Sequence, residues 1–446
     1  MRGGFAFVII VLVILCAPAL AYDWSTNPGT GDPNDPYQIS EPNQLMSIGT
    51  DPVLLTKNYI LTNNLIFDPN NNPAHVFNSA VIPDFYGSID GFGFSIKNLK
   101  ISVSTYNNEP IGLIGTYGDH GINCIENLNI QNAEITVGDN FQIVGILCGF
   151  NKSYIHNCQV NGTIICGTGS TKIGGICGSN GDLSGSTKIT HCQSDIFISG
   201  SSVPGTISEI GGTCGLNRGT IAHCSAVGAI EGWSLNTTGG ICGQQESGKI
   251  ISCSTSVNIT AQWTLYYSGG LCGRNSNGTI SHSSATGKLT SAGTYYSGRD
   301  VIYYVGGFCG HNTGGVIQSC YSIGDIACSS VELGQGEETG GFCGRNSALG
   351  EILDCFSAGD VICGPITGNV PYKERWVGGF CGTNDASIMN CYSTGTVDTD
   401  ATNKAGFCYM NYNTIEDCFW DTDTSAILTA GLNGAIPGVT GKTTAQ

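Results

Sequence analysis

The hydrophobic pattern of this chain is short, alternating and repeated. A Gly-Gly-apolar-Cys-Gly run, Gly306 to Gly310, leads through an Asn/Gly turn into IQSCYSIGDI, Ile317 to Ile326. The first run recurs from Gly145, Gly174, Gly211, Gly239, Gly269, Gly340, Gly378 and Ala405, and the second follows it each time, as in IAHCSAVGAI from Ile221 and IMNCYSTGTV from Ile388. Units start 27 to 38 residues apart. The runs keep their length while the segment between them varies, as constant strands joined by variable loops would. Each run is rich in β-branched, aromatic and small residues and is bounded by Gly, Asn or Ser, which predicts strands rather than helices. Three short strands per unit are expected, at GGFCG, SCYS and GDI.

In the second run Cys320, Ser322, Gly324 and Ile326 share parity, so a period of two places them on one face. Small side chains there suit the crowded interior of a coil. One such coil cannot bury its own core, but stacked neighbours can. The fold expected is all-β, a right-handed parallel β-helix with coils about 4.8 Å apart. Its Gly pairs belong where the chain turns tightly or where a Cβ would strike the adjacent coil.

The unit resembles the GLUG repeat of large secreted bacterial proteins, most closely at VGGFCGTNDASIMNCYSTGTV, Val377 to Val397. Cys381 departs from that pattern, standing where an aliphatic residue is more common. The resemblance covers roughly residues 37 to 446. It implies an extracellular β-solenoid, and it implies little about activity.

Five segments follow in order. Residues 1–21 read as a cleavable signal peptide, with Arg2, an apolar Phe5 to Leu15 and a small-x-small site at Ala19 to Ala21. Residues 22–57 are a loop and a capping helix, with Ser40 as N-cap, Pro42 in the first turn and Leu45, Met46 and Ile48 on its apolar side. Such a cap covers an edge that would otherwise pair with other chains. Residues 58–139 are early irregular coils, 140–420 the regular repeat and 421–446 a tail. GLUG-type chains often continue beyond the GKTTAQ stretch, so a truncated form lacking a C-terminal anchor is one reading. No later stretch is long or apolar enough to span a membrane.

Charge narrows the partners. The net charge is −17 and 11% of residues are charged, which leaves no basic face for nucleic acid. Twenty-two cysteines are present, Cys16 within the leader. Eight units carry both repeat cysteines, and the ninth sets Cys272 against Ser283. Export permits disulfides. A bridge across each coil and a column of buried thiols are both open, with Cys272 the candidate for an unpaired thiol. No CxxC spacing appears and His156, His191, His223 and His282 fall at turns, so neither metal nor cofactor is expected. The DTDTS run from Asp421 lacks the glycine and glutamate of a calcium loop, and GVTGKTT, Gly438 to Thr444, lacks the first glycine of a phosphate loop.

No catalytic residue is assigned. An enzyme would need converging acids or bases, and the candidates, Asp90, Asp119 with His120, and Lys373-Glu374-Arg375, suit turns and solvated loops. The aromatic residues stand out more. Trp233, Trp263, Tyr266, Tyr267, Tyr295, Tyr296, Tyr303, Tyr304, Tyr372 and Trp376 lie just before successive Gly-Gly runs. Stacking would align them along one side, where rings suit the apolar faces of sugars. Packing on the solenoid flank is the other reading. The function expected is a secreted or cell-surface interaction scaffold, glycan-binding or adhesive and non-catalytic. A polysaccharide lyase or glycoside hydrolase on the same fold is the alternative, and a spacer within a larger surface protein a third.

Overall fold

The structure is a computed structural model that describes residues 22–106, 108–118, 123–182, 186–200, 205–291, 303–328, 337–364, 375–399 and 403–445. The signal peptide and the sites Asp119, His120, Tyr295, Tyr296, Tyr372, Lys373 and Glu374 lie outside these residues. The chain winds into a parallel β-helix. Each coil contributes to three parallel sheets. The first sheet runs from Ile82–Phe85 to Cys408–Asn411, and the second from Tyr37–Ile39 to Ile415–Glu416. The third takes the rest of each coil.

A regular coil holds five short strands rather than three. They are Tyr303–Gly306, Cys309–Thr313, Val316–Gln318, Tyr321–Ser322 and Ile326–Cys328. Gly306 ends the first of these and Gly307 stands at the corner before the second, so the single strand expected at GGFCG is divided between two. A Cβ on Gly306 would collide with the Cys309 carbonyl of its own coil, and one on Gly307 with the Gly341 carbonyl of the next. Tight turning and close stacking therefore both demand glycine. The opposite corner, between the second and third sheets, uses one left-handed residue per coil. Asn157, His191, His223, Ser252, His282, Ser319, Asp354, Asn390 and Asp417 hold φ between +50° and +56° there. Polar side chains that tolerate this region occupy it.

The expected parity holds. Cys320, Ser322, Gly324 and Ile326 are buried while Tyr321, Ile323 and Asp325 are exposed. In-register stacking then turns each core position into a column of like residues. Phe308, Phe342, Phe380 and Phe407 stack with centroids 4.8–4.9 Å apart. Beside them runs a buried amide ladder. Asn151 donates to Asn180 at 2.7 Å, Asn180 to Asn217 at 2.7 Å and Asn217 to Gln245 at 2.6 Å. It resumes from Asn275 through Asn312, Asn346 and Asn384 to Asn411 at 2.8–2.9 Å. Asparagine suits this because its amide both donates and accepts. At Gln245 the longer side chain breaks the chain of bonds, leaving its Nε2 and the Oδ1 of Asn275 buried without partners.

Both repeat-cysteine columns point inward, and each described cysteine is a free thiol. Cys272 is no exception, stacking between Cys242 and Cys309. The Cys177 and Cys214 sulfurs are 3.6 Å apart. In the second column each thiol donates to the carbonyl two residues back, as Cys355 does to Leu353 at 3.0 Å. Ser283 makes the same bond to Ser281 at 2.8 Å, so a hydroxyl replaces a thiol without loss.

The helix spans Pro42–Ile48 and buries Leu45 and Ile48 beside the terminal strand Tyr37–Ile39. Its N-cap is Glu41, one residue after the expected Ser40. Gln44 moves the start by accepting from the Ser40 and Glu41 amides at 2.6 and 3.1 Å. At the other end the tail folds back over the last coil. Trp420 donates to the Ile427 carbonyl at 2.9 Å, and Val439–Lys442 pairs with Cys418–Asp421. The DTDTS run is a short helix, Thr422–Ser425, capped by Asp421, and GVTGKTT supplies the Val439–Lys442 strand.

Two outcomes follow. Gln245→Asn lets the ladder run unbroken and raises unfolding free energy by about 1 kcal/mol in urea titration; an unchanged or lower midpoint contradicts the ladder. The non-reduced chain has the intact mass of its all-thiol form, and native alkylation starts at half-buried Cys124. That reaction is slow, because burial, Glu126 and Asp90 push the thiol up to about 12. A deficit of two protons per coil would instead mean bridged coils.

Candidate functional site: an aromatic and charged corner

The strands that precede each Gly-Gly pair place the expected aromatic residues in register. Tyr267 pairs with Tyr304, Tyr304 with Glu338 and Glu338 with Trp376 along one column. Tyr303, Glu337 and Arg375 form the adjacent column. Ring contacts join Trp233 to Trp263 at 4.8 Å, Tyr266 to Tyr303 at 5.1 Å and Tyr267 to Tyr304 at 5.3 Å. The residues thus gather on one side, but not as an uncharged row. Tyr304 is buried, the other described rings are half-buried, and two glutamates interrupt the columns before Trp376.

Those glutamates matter because the facing strands of the first sheet bring cations. Arg274, His311 and Arg345 are in-register neighbours there. Arg345 donates to Glu338 at 3.0 Å, to Asp385 at 2.6 Å and to the Tyr304 hydroxyl at 3.4 Å. Its guanidinium also lies over the Tyr304 ring, 5.7 Å from the centroid. Arg274 takes the same position over Tyr267. His311 packs against Tyr304 at 4.7 Å, and burial with the two arginines pushes it down to about 3, so the imidazole is neutral. Glu338 is fully buried. Burial pushes its carboxyl up to about 7 against the opposing pull of Arg345. In the adjacent column Arg375 and Glu337 form a buried ion pair at 2.8 Å.

Arg375 was expected on a solvated loop and is instead consumed in the wall of the corner. Asp90 is structural, accepting from the Phe92 amide at 2.8 Å and the Asn127 side chain at 3.0 Å. His191 and His223 stack at the left-handed corner with centroids 4.8 Å apart, and His156, beside it, meets His191 edge-on at 5.1 Å. Among the described residues no group of three His, Cys, Asp or Glu is placed to hold a metal ion, and no helix is long and apolar enough to cross a membrane. The sequence signal for the charged cluster was an acid or base two residues before a Gly-Gly pair, as at Glu209 and Glu338.

Glu338 carries a pH signature. Its folded carboxyl titrates about 7, against 4.5 for the ordinary group. Between those values the unfolded chain is ionised while the folded chain keeps the proton, so this residue's contribution to stability falls as pH rises through that window. Glu338→Gln removes that pH dependence, on the order of 3 kcal/mol across the window, read as the difference between wild-type and variant urea unfolding. Parallel curves would mean that Glu338 is already ionised.

The GLUG motif matches residues 264–290, 302–327 and 377–398. Halomucin of Haloquadratum walsbyi (strain DSM 16790 / HBSQ001) is 31% identical over 158 residues, covering 34% of this chain and 2% of halomucin. The chain therefore spans only a small part of that relative's length. A crystal structure of a candidate immunoglobulin A1 protease from Bacteroides ovatus superposes with a TM-score of 0.48 at 20% identity, over 65% of this chain and 86% of that one. A structure named IgA1 Protease gives a TM-score of 0.31 at 13% identity, over 79% of this chain and 21% of the other. The chain is a cysteine-rich parallel β-helix that carries three GLUG motifs.

Proposed function

We propose that this chain is a secreted or cell-surface interaction scaffold whose aromatic corner engages a polysaccharide or another surface partner without chemistry. The observation that carries this reading is the register of the rings. Trp233 with Trp263, and Tyr266 with Tyr303, present paired half-exposed aromatic surfaces on consecutive coils. Rings held in this way lose little freedom on binding and offer apolar faces to a sugar. The acids and bases nearby are engaged with one another, Glu338 and Asp385 with Arg345 and Glu337 with Arg375. The leader-like residues 1–21 and the low charged fraction support an extracellular setting.

The test is retention of the full chain on a panel of insoluble polysaccharides. Trp263→Ala with Tyr303→Ala is expected to weaken retention by about tenfold or more while circular dichroism stays unchanged. Equal retention of variant and wild type on every polysaccharide removes the corner as the binding face.

A further inference from the structure

A second surface lies on the outer side of the third sheet, away from the aromatic corner. Two adjoining clefts of about 470 and 320 Å³ share Asn129 and Gln159, so they form one trough along the coil axis. Its floor is a single column, Asn129, Gln159, Gln193 and Ser225, one residue per coil and in register. At about 4.8 Å per coil, that column extends roughly 14 Å. At one end of the trough the strand Asn129–Val137 shifts register against its neighbour between Ile130 and Ala133, and Gln131 and Asn132 of that irregularity line the cleft.

The chemistry of the trough differs from that of the core in one respect. The inner asparagines bond to one another coil after coil. The side-chain amides of Asn129, Gln159 and Gln193 make no hydrogen bond within the described residues, although they stack just as regularly. They form a row of donors and acceptors with no protein partner. Neither cleft is lined by Lys or Arg, and Asp195 is the one ionisable residue in the lining. Its carboxylate accepts from Asn161 at 3.1 Å. With no cation and a chain of net charge −17, the trough disfavours an anionic ligand.

The end of the trough supplies an independent observation. Phe92 is 67% exposed and holds φ at +50°, a region that a bulky side chain rarely adopts. The turn is pinned by the Phe92 amide on Asp90 and the Phe94 amide on the Gly91 carbonyl, both at 2.8 Å. A strained backbone that holds an aromatic ring in solvent at the mouth of a cleft points to a ligand.

Building on the interaction-scaffold reading, we propose that this trough binds a neutral polysaccharide strand lying along the coil axis. Its hydroxyls pair with the amide column, and the face of one sugar ring packs on Phe92. Uncharged hydroxyls answer amides in both donor and acceptor roles, and a linear polymer meets the same group on each coil.

The experiment is affinity electrophoresis of the full chain through gels containing amylose, dextran, mannan or xylan, with polygalacturonate as the anionic probe. Gln159→Ala with Gln193→Ala alters exposed side chains, so the fold is retained, as circular dichroism verifies. At least one neutral polymer should retard the wild type independently of salt. The double variant should weaken that binding by about tenfold, and Phe92→Ala should weaken it as well. Retardation by polygalacturonate alone, lost at high salt, overturns the proposal. So does neutral-polymer binding that Trp263→Ala with Tyr303→Ala abolishes and the trough variants leave intact, an outcome in which the aromatic corner survives as the binding face. If no polymer retards the wild type, the trough proposal falls, while the scaffold reading stands through a partner other than a polysaccharide.

Discussion

The close approach of one coil to the next at the Gly-Gly corner is the constraint on which the rest depends. A Cβ at Gly307 has no room because the Gly341 carbonyl of the following coil occupies it. That contact fixes the vertical register, and the backbone bonds from Phe308 to Phe342 and from Phe342 to Phe380, both 2.9 Å, propagate it. Once register is fixed, every side chain faces its counterpart in the coils above and below. The fold thereby restricts which residues can repeat.

Only a residue that satisfies itself can be stacked without end. Asparagine gives an amide to one neighbour and a carbonyl to the other. Phenylalanine stacks on its own face, and cysteine packs as a small apolar group whose S–H finds a local carbonyl. Charges repeat less readily, because like charges in register repel, although half-buried pairs such as Asp90 with Glu126 do occur. Four ion pairs set opposite signs on adjacent coils: Lys100 with Glu134, Lys172 with Glu209, Arg218 with Glu246 and Glu337 with Arg375. This also explains why the thiols can stay reduced. Each repeat thiol has neighbours in its column, many donate to a nearby carbonyl, and desolvation holds Cys272, Cys309, Cys343 and Cys381 well above the ordinary thiol range, away from the reactive thiolate.

The sequence carried the repeat and the alternation in plain form, because those positions recur unit after unit, while the inward direction of both cysteine columns stayed open. It hid the Val316–Gln318 strand, whose Ile317 and Gln318 open the second run ahead of the strand expected at SCYS. It also hid the left-handed corner, where Asn, His, Ser and Asp stand in place of glycine. The aromatic residues were visible by type. Glu338 stands two residues before its Gly-Gly pair, as Tyr304 and Trp376 do, so its place between them was legible in the repeat; following aromatic residues alone passed over it. The trough amides were hidden for a different reason: Asn and Gln are so frequent in this chain that they read as turn composition.

Where, then, can such a stack hold specificity? A position that obeys the like-on-like rule and bonds only to its neighbours has nothing left for a partner, as in the inner ladder from Asn275 to Asn411. A position that breaks the rule must settle its polar groups elsewhere, as Glu338 does with Arg345. The outer amides of Asn129, Gln159 and Gln193 are a third case. They repeat in register, yet they face solvent in the trough and do not bond to one another. A repeat that stays periodic and keeps its hydrogen-bonding capacity outward is complementary to a periodic ligand. A solenoid can build such a surface by changing side chains on one face, while the glycines, asparagines and thiols that set its register remain untouched.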